Sequence, residues 1–189
     1  MWAKRKQHGF TIVELLIVIV VIGILAAISI AAYTGVQGRA QDARRVQDLQ
    51  SIAKALELYK ISVGGYPGPM STPNASGWEV STTGTTATNF LSALKTSGTV
   101  SSVPVDPINT GNPTAIGPGY NGTNQLYFYY RYPAGQAGCD LSRGEFYILG
   151  VTRMDMVPSG QTAPNSPGFS CPERNWSTEG AWVTGGYTN

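Results

Sequence analysis

The chain has 189 residues, of which only 13% are charged, about half the usual share of a globular protein. Its net charge of +2 is an end effect: without Lys4, Arg5 and Lys6, 10 basic residues face 11 acidic ones, a net of −1. A nearly neutral chain has no general attraction for nucleic acid, so we expect no nucleic-acid partner. The abundance of Gly (23) and Pro (12) favours a loop-rich, β-containing domain over a charged helical one.

The sequence offers no set of catalytic residues. Its single histidine, His8, lies in the basic N-terminal segment. It contains no phosphate-binding glycine loop followed by lysine and no cluster with the spacing of metal ligands. We therefore expect a protein that is not an enzyme and that needs neither a cofactor nor a metal.

Residues 1–9 form a short basic leader, and residues 10–32 form an apolar segment whose only charge is Glu14. As a helix this segment would be about 34 Å long, enough to cross the hydrocarbon core of a bilayer. The basic leader places its own side in the cytoplasm and the rest of the chain outside. A conventional secretory signal is the alternative, although its apolar core is usually only about 7–15 residues long.

Residues 33–61 carry an apolar or small side chain at every third or fourth position, which predicts an amphipathic helix with one stripe for burial. The stripe consists of Val36, Ala40, Ala43, Val46, Leu49, Ile52, Ala53, Leu56 and Tyr59. Around it, the spacing predicts ion pairs of Arg44 and Arg45 with Asp48. No proline interrupts the apolar or the amphipathic segment, so both can form one helix, which Gly64-Gly65 would end.

Residues 62–189 are polar and rich in turn residues, which indicates a separate globular head. Two aromatic or β-branched runs, 126–132 and 145–151, predict an antiparallel strand pair, and a weaker strand is predicted at 175–183. A short helix is predicted at 89–97. The aromatic side chains of the first run could form a stacking platform for sugars or single-stranded DNA, but alternation along a strand sends half of them inward, which favours core packing.

The two cysteines, Cys139 and Cys171, both fall in the part placed outside the cytoplasm, where oxidation is permitted. Their even number and this compartment predict a disulfide. The bridge would contribute about 3–4 kcal/mol by the loop-entropy relation. Two unrelated buried thiols are the alternative.

Glu14 is the most unusual residue of the apolar segment, because a carboxylate in a membrane helix is costly and needs a partner. No basic residue lies within one or two helical turns of Glu14. A cut between Gly9 and Phe10 would create a positive charge, the α-amine of Phe10, at the start of the same segment. In staggered neighbouring helices, the amine of one copy could meet the carboxylate of the next and so fix the stagger.

The run Gly9-Phe10-Thr11-Ile12-Val13-Glu14, after a basic leader and before LLIVIVVIGILAA, closely resembles the processing site and N-terminal helix of type IV prepilins. The wider family comprises the pilins of type IV pili and the pseudopilins of type II secretion. The resemblance implies the α+β pilin fold, in which a long N-terminal helix packs on a small antiparallel β-sheet and a disulfide region follows near the C-terminus.

The resemblance also implies a role for each matching residue. Gly9 would be the last leader residue before the cut of a prepilin peptidase, and Phe10 would become the N-methylated first residue. Glu14 would pair with the N-terminus of a neighbouring subunit during assembly, and Cys139 and Cys171 would bound the disulfide region. The implied partners are identical or related pilin subunits in a helical polymer, the peptidase, an inner-membrane assembly platform and, before assembly, membrane lipid.

The function expected from this resemblance is that of a structural subunit of a type IV pilus, serving adhesion and twitching motility. The size of the 62–189 head and the two cysteines favour this interpretation. The alternative is a pseudopilin or minor pilin of a type II secretion or related filament system. A lone anchored surface protein is a third class. We expect a single-pass inner-membrane precursor with its C-terminus outside, and an assembled form in an extracellular pilus.

Two further features are Ala31 in the apolar segment and the stretch 106–113 in the head. Pilins commonly have a proline at the position of Ala31, so any loosening of this helix would be expected near Gly35 and Gly38 instead. The stretch 106–113 resembles the Asp-Pro loop of major pseudopilins, where calcium can bind, and its oxygen-rich spacing could hold a hard cation at Asp106. A turn rich in Asp, Asn, Gly and Pro is the preferred interpretation.

Overall fold

The computed structural model describes residues 10–68, 78–82, 90–111 and 124–189. The chain divides into two compact units, Met1–Gly38 and Arg39–Asn189. One helix, α1 (Ile12–Val63), contributes to both. The leader, including Gly9, lies outside the described residues.

The first part of α1 is apolar on all sides, and its side chains are exposed. Its large apolar side chains between Ile12 and Ile30 are 48–79% exposed. A helix that is apolar all round needs lipid or other helices around it. By length and composition, α1 is the one helix among the described residues that could span a membrane.

Helix α1 is continuous past Ala31, Gly35 and Gly38 and ends at Val63, two residues beyond the predicted end. Its last turn closes with a 2.8 Å hydrogen bond from the amide of Gly64 to the carbonyl of Lys60. Gly64 then takes a φ of 92°, which favours glycine and ends the helix.

The head contains a four-stranded antiparallel sheet in the order β1-β2-β3-β6. Its strands are β1 (Glu79–Val80), β2 (Tyr127–Tyr132), β3 (Phe146–Val151) and β6 (Trp182–Tyr187). A separate hairpin pairs β4 (Ser170–Cys171) with β5 (Arg174–Asn175). Helix α2 (Ser92–Thr96) is shorter than the helix predicted at 89–97.

The predicted pair of central strands is confirmed, with Tyr127 opposite Val151 and Tyr132 opposite Phe146. The third strand was misplaced: residues 176–178 form a 3-10 turn, and the strand begins at Trp182. The side chain of Asn175 accepts a 3.0 Å hydrogen bond from the amide of Ser177, which starts the turn instead of a strand.

The sheet is covered on both faces. On one face, Tyr129, Tyr147 and Leu149 pack against Leu49 and Leu56 of α1 in the first core. On the other face, Phe128, Phe146, Ile148 and Val183 pack with Trp176 in a second core. The second core depends on the chain around the β4–β5 hairpin, because Phe169 stacks on Phe146 and Trp176 contacts the same ring edge to face. Core packing therefore accounts for the aromatic residues of β2, of which only Tyr130 is not buried.

Candidate processing and assembly site

Helix α1 begins with a reciprocal capping arrangement. The Glu14 carboxylate accepts hydrogen bonds from the amide of Thr11 (2.9 Å) and from its hydroxyl (2.8 Å). In return, the amide of Glu14 donates to the Thr11 hydroxyl oxygen at 3.2 Å. This is the Thr-x-x-Glu capping box, which satisfies otherwise orphaned amides at a helix start.

The capping box gives Glu14 a partner within its own chain, Thr11, in addition to the predicted partner in a neighbouring subunit. Before any neighbouring subunit is present, the carboxylate is held beside the first turn, and the helix N-terminus favours its negative charge. Phe10, one residue before this box, is 90% exposed. Glu14 lies four residues after Phe10 in the sequence, so its carboxylate is close along the chain to the residue predicted to become the N-terminus.

We expect Thr11→Val to loosen this first turn, because valine keeps the shape but removes the hydroxyl. Loss of an N-cap hydroxyl costs about 1 kcal/mol, which corresponds to roughly fivefold faster opening. Hydrogen exchange of the Val13 and Glu14 amides in detergent micelles measures this change. Thr11→Ser keeps the hydroxyl and is the control; equal exchange in the two variants would contradict the capping role.

The head contains a second cluster of charges, around the fully buried side chain of Arg45. Its Nη1 donates to Asp42 at 2.8 Å and to Asp155 at 2.7 Å, while its Nε donates to Asp106 at 2.8 Å. The predicted pair of Arg44 and Asp48 is present at 3.7 Å. The predicted pair of Arg45 with Asp48 is wrong, because Arg45 turns into the head and its guanidinium joins the three other carboxylates.

These contacts fix two loops of the head on α1. Asp42 accepts hydrogen bonds from the amides of Asp155 and Met156, both at 2.8 Å. Burial alone would lower the pKa of Arg45, but its hydrogen bonds and charge interactions with Asp106 and Asp155 outweigh burial and raise that pKa. The guanidinium is therefore charged under all physiological conditions.

Asp106 organises its own loop as well as binding Arg45. Its Oδ1 accepts from the amides of Ile108 (2.9 Å) and Asn109 (3.2 Å) and from Nη2 of Arg45 (3.3 Å). Both carboxylate oxygens are thus engaged, which favours the turn interpretation of this loop over a calcium site. Among the described residues, no group of His, Cys, Asp and Glu side chains is arranged to hold a metal.

A disulfide joins Cys139 to Cys171, with 5.0 Å between their Cα atoms. It attaches strand β4 to the turn that follows β2. A backbone hydrogen bond from Glu173 to the carbonyl of Ala137 (3.1 Å) reinforces this attachment. The disulfide therefore holds the covering chain of the second core in place.

We expect Cys139→Ser with Cys171→Ser to lower the free energy of unfolding by about 3–4 kcal/mol, since the bridge spans 32 positions of the chain. Urea denaturation followed by tryptophan fluorescence measures this loss, because Trp176 lies in the affected core. Addition of reductant to the parent protein should reproduce the effect. A loss below about 1 kcal/mol would contradict this account of the second core.

Comparison with known proteins gives these features a context. The family model described as "Prokaryotic N-terminal methylation motif" matches residues 4–30. The type II secretion system core protein G of Aeromonas hydrophila is 30% identical over 146 residues, which cover 77% of this chain and 96% of that protein. The chain belongs to the pilin and pseudopilin family.

Two further relatives have the same name as the Aeromonas hydrophila protein. The type II secretion system core protein G of Pseudomonas aeruginosa is 31% identical over 125 residues, covering 66% of this chain and 83% of that protein. The protein of the same name from Escherichia coli K12 is 37% identical over 67 residues, covering 35% and 46%. No solved structure matches the chain.

Family membership agrees with the fold, a long N-terminal helix with a small antiparallel sheet. The methylation motif and the single N-terminal apolar helix fit a membrane-anchored precursor. The matched residues 4–30 include Gly9, Phe10 and Glu14. These relatives are named as type II secretion proteins, the class given above as the alternative to a type IV pilus subunit.

Proposed function

We propose that this chain is a pseudopilin, a structural subunit of a filament in a type II secretion or closely related system. The observation that carries this proposal is the match to the Aeromonas hydrophila core protein G, which extends over 96% of that relative. The similarity therefore includes the head as well as the N-terminal helix. We expect the head to be the part in which members of this family with different functions differ.

In this proposal, a prepilin peptidase cuts after Gly9 in the cytoplasm and methylates the new N-terminus at Phe10. The apolar part of α1 keeps the subunit in the inner membrane, with the head outside, until an assembly platform adds it to the filament. Glu14 then exchanges its local hydrogen bonds with Thr11 for a neighbour's charged N-terminus. The role is structural and not enzymatic.

A second candidate is a subunit of a type IV pilus with a role in adhesion and twitching motility. The disulfide Cys139–Cys171 near the C-terminus favours it, because the resemblance associates such a region with pilins. In this case the same processing and the same Glu14 contact would lead to a surface fibre instead of a secretion filament.

Deletion of the gene separates the two candidates. For a secretion pseudopilin we expect exported proteins in the medium to fall at least tenfold while twitching is unchanged, and complementation should restore export. Unchanged export with lost surface fibres and lost twitching would support the pilus candidate and contradict the first.

The processing step has its own test. Mass spectrometry of the mature subunit should find an N-terminus at Phe10 carrying one methyl group. An intact Met1 on filament subunits would contradict processing, whichever filament the subunit belongs to.

A further inference from the structure

Three segments of the head carry the sequence Asn-x-Ser/Thr, the sequon that accepts N-linked sugar chains on the surface of exported proteins. They begin at Asn74, Asn121 and Asn175. The first two lie outside the described residues. The third also differs from them in sequence, because Glu173 stands two positions before its asparagine, where the other two have uncharged residues. Bacterial transferases that act on this sequon also recognise an acidic side chain at that position.

The third sequon, Asn175-Trp176-Ser177, begins at the end of the β4–β5 hairpin. Asn175 is the last residue of β5 and is exposed, as is Glu173 in the turn between the two strands. Trp176, between the asparagine and the serine, is fully buried, and its indole N–H donates a 3.1 Å hydrogen bond to the hydroxyl of Tyr132. The second core therefore fixes the middle of the sequon, while the asparagine remains accessible.

The side-chain amide of Asn175 is held at its oxygen only. Its Oδ1 accepts the 3.0 Å hydrogen bond from the amide of Ser177. Within the described part of the chain, nothing binds its Nδ2. Because Nδ2 is the atom that receives the sugar in an N-linked modification, a sugar chain could be attached here without breaking a contact of the folded head. It would add bulk and hydration to the surface of the hairpin.

We infer that Asn175 accepts an oligosaccharide from a lipid-linked donor, a sugar chain carried on a polyprenyl diphosphate. Nδ2 forms a bond to the anomeric carbon of the first sugar as the bond between that carbon and the diphosphate oxygen breaks. The polyprenyl diphosphate leaves with the electron pair, and the side-chain amide gives up one proton to a base of the transferase. The enzyme recognises the segment by the carboxylate of Glu173 and the hydroxyl of Ser177.

This inference goes beyond the proposed function. It requires that the head is exported, but it does not depend on the kind of filament that the subunit joins.

The hydroxyl of Ser177 is engaged once the head has folded. Its Oγ accepts a hydrogen bond from the amide of Phe169 at 2.9 Å and donates one to the carbonyl of Phe169 at 3.4 Å. The disulfide between Cys139 and Cys171 holds the adjacent strand β4 in place. A transferase that needs this hydroxyl therefore acts on the open hairpin, which places the modification before the disulfide forms.

Mass spectrometry of the mature subunit, isolated from the cells that make it, tests the assignment. We expect the mass of a sugar chain on the peptide that contains Asn175. Asn175→Gln and Ser177→Ala should abolish it, whereas Ser177→Thr keeps the hydroxyl and should retain it. Glu173→Gln should lower the modified fraction about tenfold or more, because an enzyme site built for a polar group discriminates against its loss. Asn165 is the control, since it is exposed but has no hydroxyl residue two positions later, and it should carry no sugar.

Two results would overturn the inference: an unmodified Asn175 in the mature subunit, or a sugar mass that persists in Asn175→Gln. Neither result bears on the proposed function, because export and twitching are measured separately after gene deletion. A modified subunit whose deletion leaves export unchanged would contradict the proposed function and support this inference.

The order of folding and modification has its own measurement. The full chain, made without the transferase and purified in detergent, is incubated with a bacterial oligosaccharyltransferase and a lipid-linked oligosaccharide. The variant with Cys139→Ser and Cys171→Ser should be modified about tenfold faster or more than the oxidised parent, because the disulfide opposes opening of the hairpin. Equal rates would show that the enzyme recognises the closed hairpin and would overturn this order.

Discussion

A chain carrying Glu14→Ala is expected to enter the membrane and lose its leader, yet to form almost no filaments. Alanine is a good helix former, so α1 itself persists. The loss falls on assembly, because a neighbour's charged N-terminus would be left in an apolar environment without a partner. Removing one member of a buried ion pair costs about 3–5 kcal/mol, which corresponds to at least a hundredfold weaker association.

The measurement is the yield of sheared filaments relative to membrane-bound subunit, both quantified by immunoblot. Glu14→Gln separates charge from hydrogen bonding, since glutamine can still accept a bond from the Thr11 amide but cannot neutralise an amine. We expect Glu14→Gln and Glu14→Ala to reduce the filament yield to the same extent. Assembly that survives in Glu14→Gln would show that the cap, and not the charge, is what the filament needs.

The second large effect is expected in the head. Arg45→Met should lower the free energy of unfolding by about 3–5 kcal/mol, because it leaves the buried carboxylates of Asp42 and Asp106 and the partly buried carboxylate of Asp155 without their common cation. Arg45→Lys should recover only part of this loss, since an ammonium group cannot reproduce the planar fork that serves three carboxylates.

Arg44→Met is the matched control, one position away on the same helix. Arg44 is 65% exposed and lies 3.7 Å from Asp48. An exposed pair of this kind contributes at most about 1 kcal/mol. Urea denaturation of the full chain in detergent, followed by tryptophan fluorescence, compares the variants; equal midpoints for Arg45→Met and Arg44→Met would contradict the role assigned to the buried cluster.

The long helix and the two central strands were predictable because each follows from local periodicity and residue type. The burial of Arg45 was not, because arginine is rarely buried and two of its partners lie 61 and 110 positions away. No local pattern links residues so far apart. The capping box, by contrast, was readable from Thr11 and Glu14, whose Thr-x-x-Glu spacing is a known helix-start signal.

The last strand, β6, was misplaced for a different reason. It contains Gly185 and Gly186, and glycine is rare in strands. A Cβ atom at Gly185 would come within 2.4 Å of the Phe169 ring and 2.5 Å of the Tyr147 carbonyl oxygen. The position is therefore kept small by the aromatic packing above it, which depends on tertiary contacts that a single sequence does not display.

The salt-bridge cluster at Arg45 has a consequence for the environments in which the protein can work. Two head loops are joined to α1 by the guanidinium of Arg45, a cation that is part of the chain and that no chelator can remove. Citrate or EDTA in the surroundings, or a soft-water habitat, should leave this junction intact. Because every subunit carries its own Arg45, the contacts between this side chain and the two loops can form as soon as the head folds, whatever ions the medium contains.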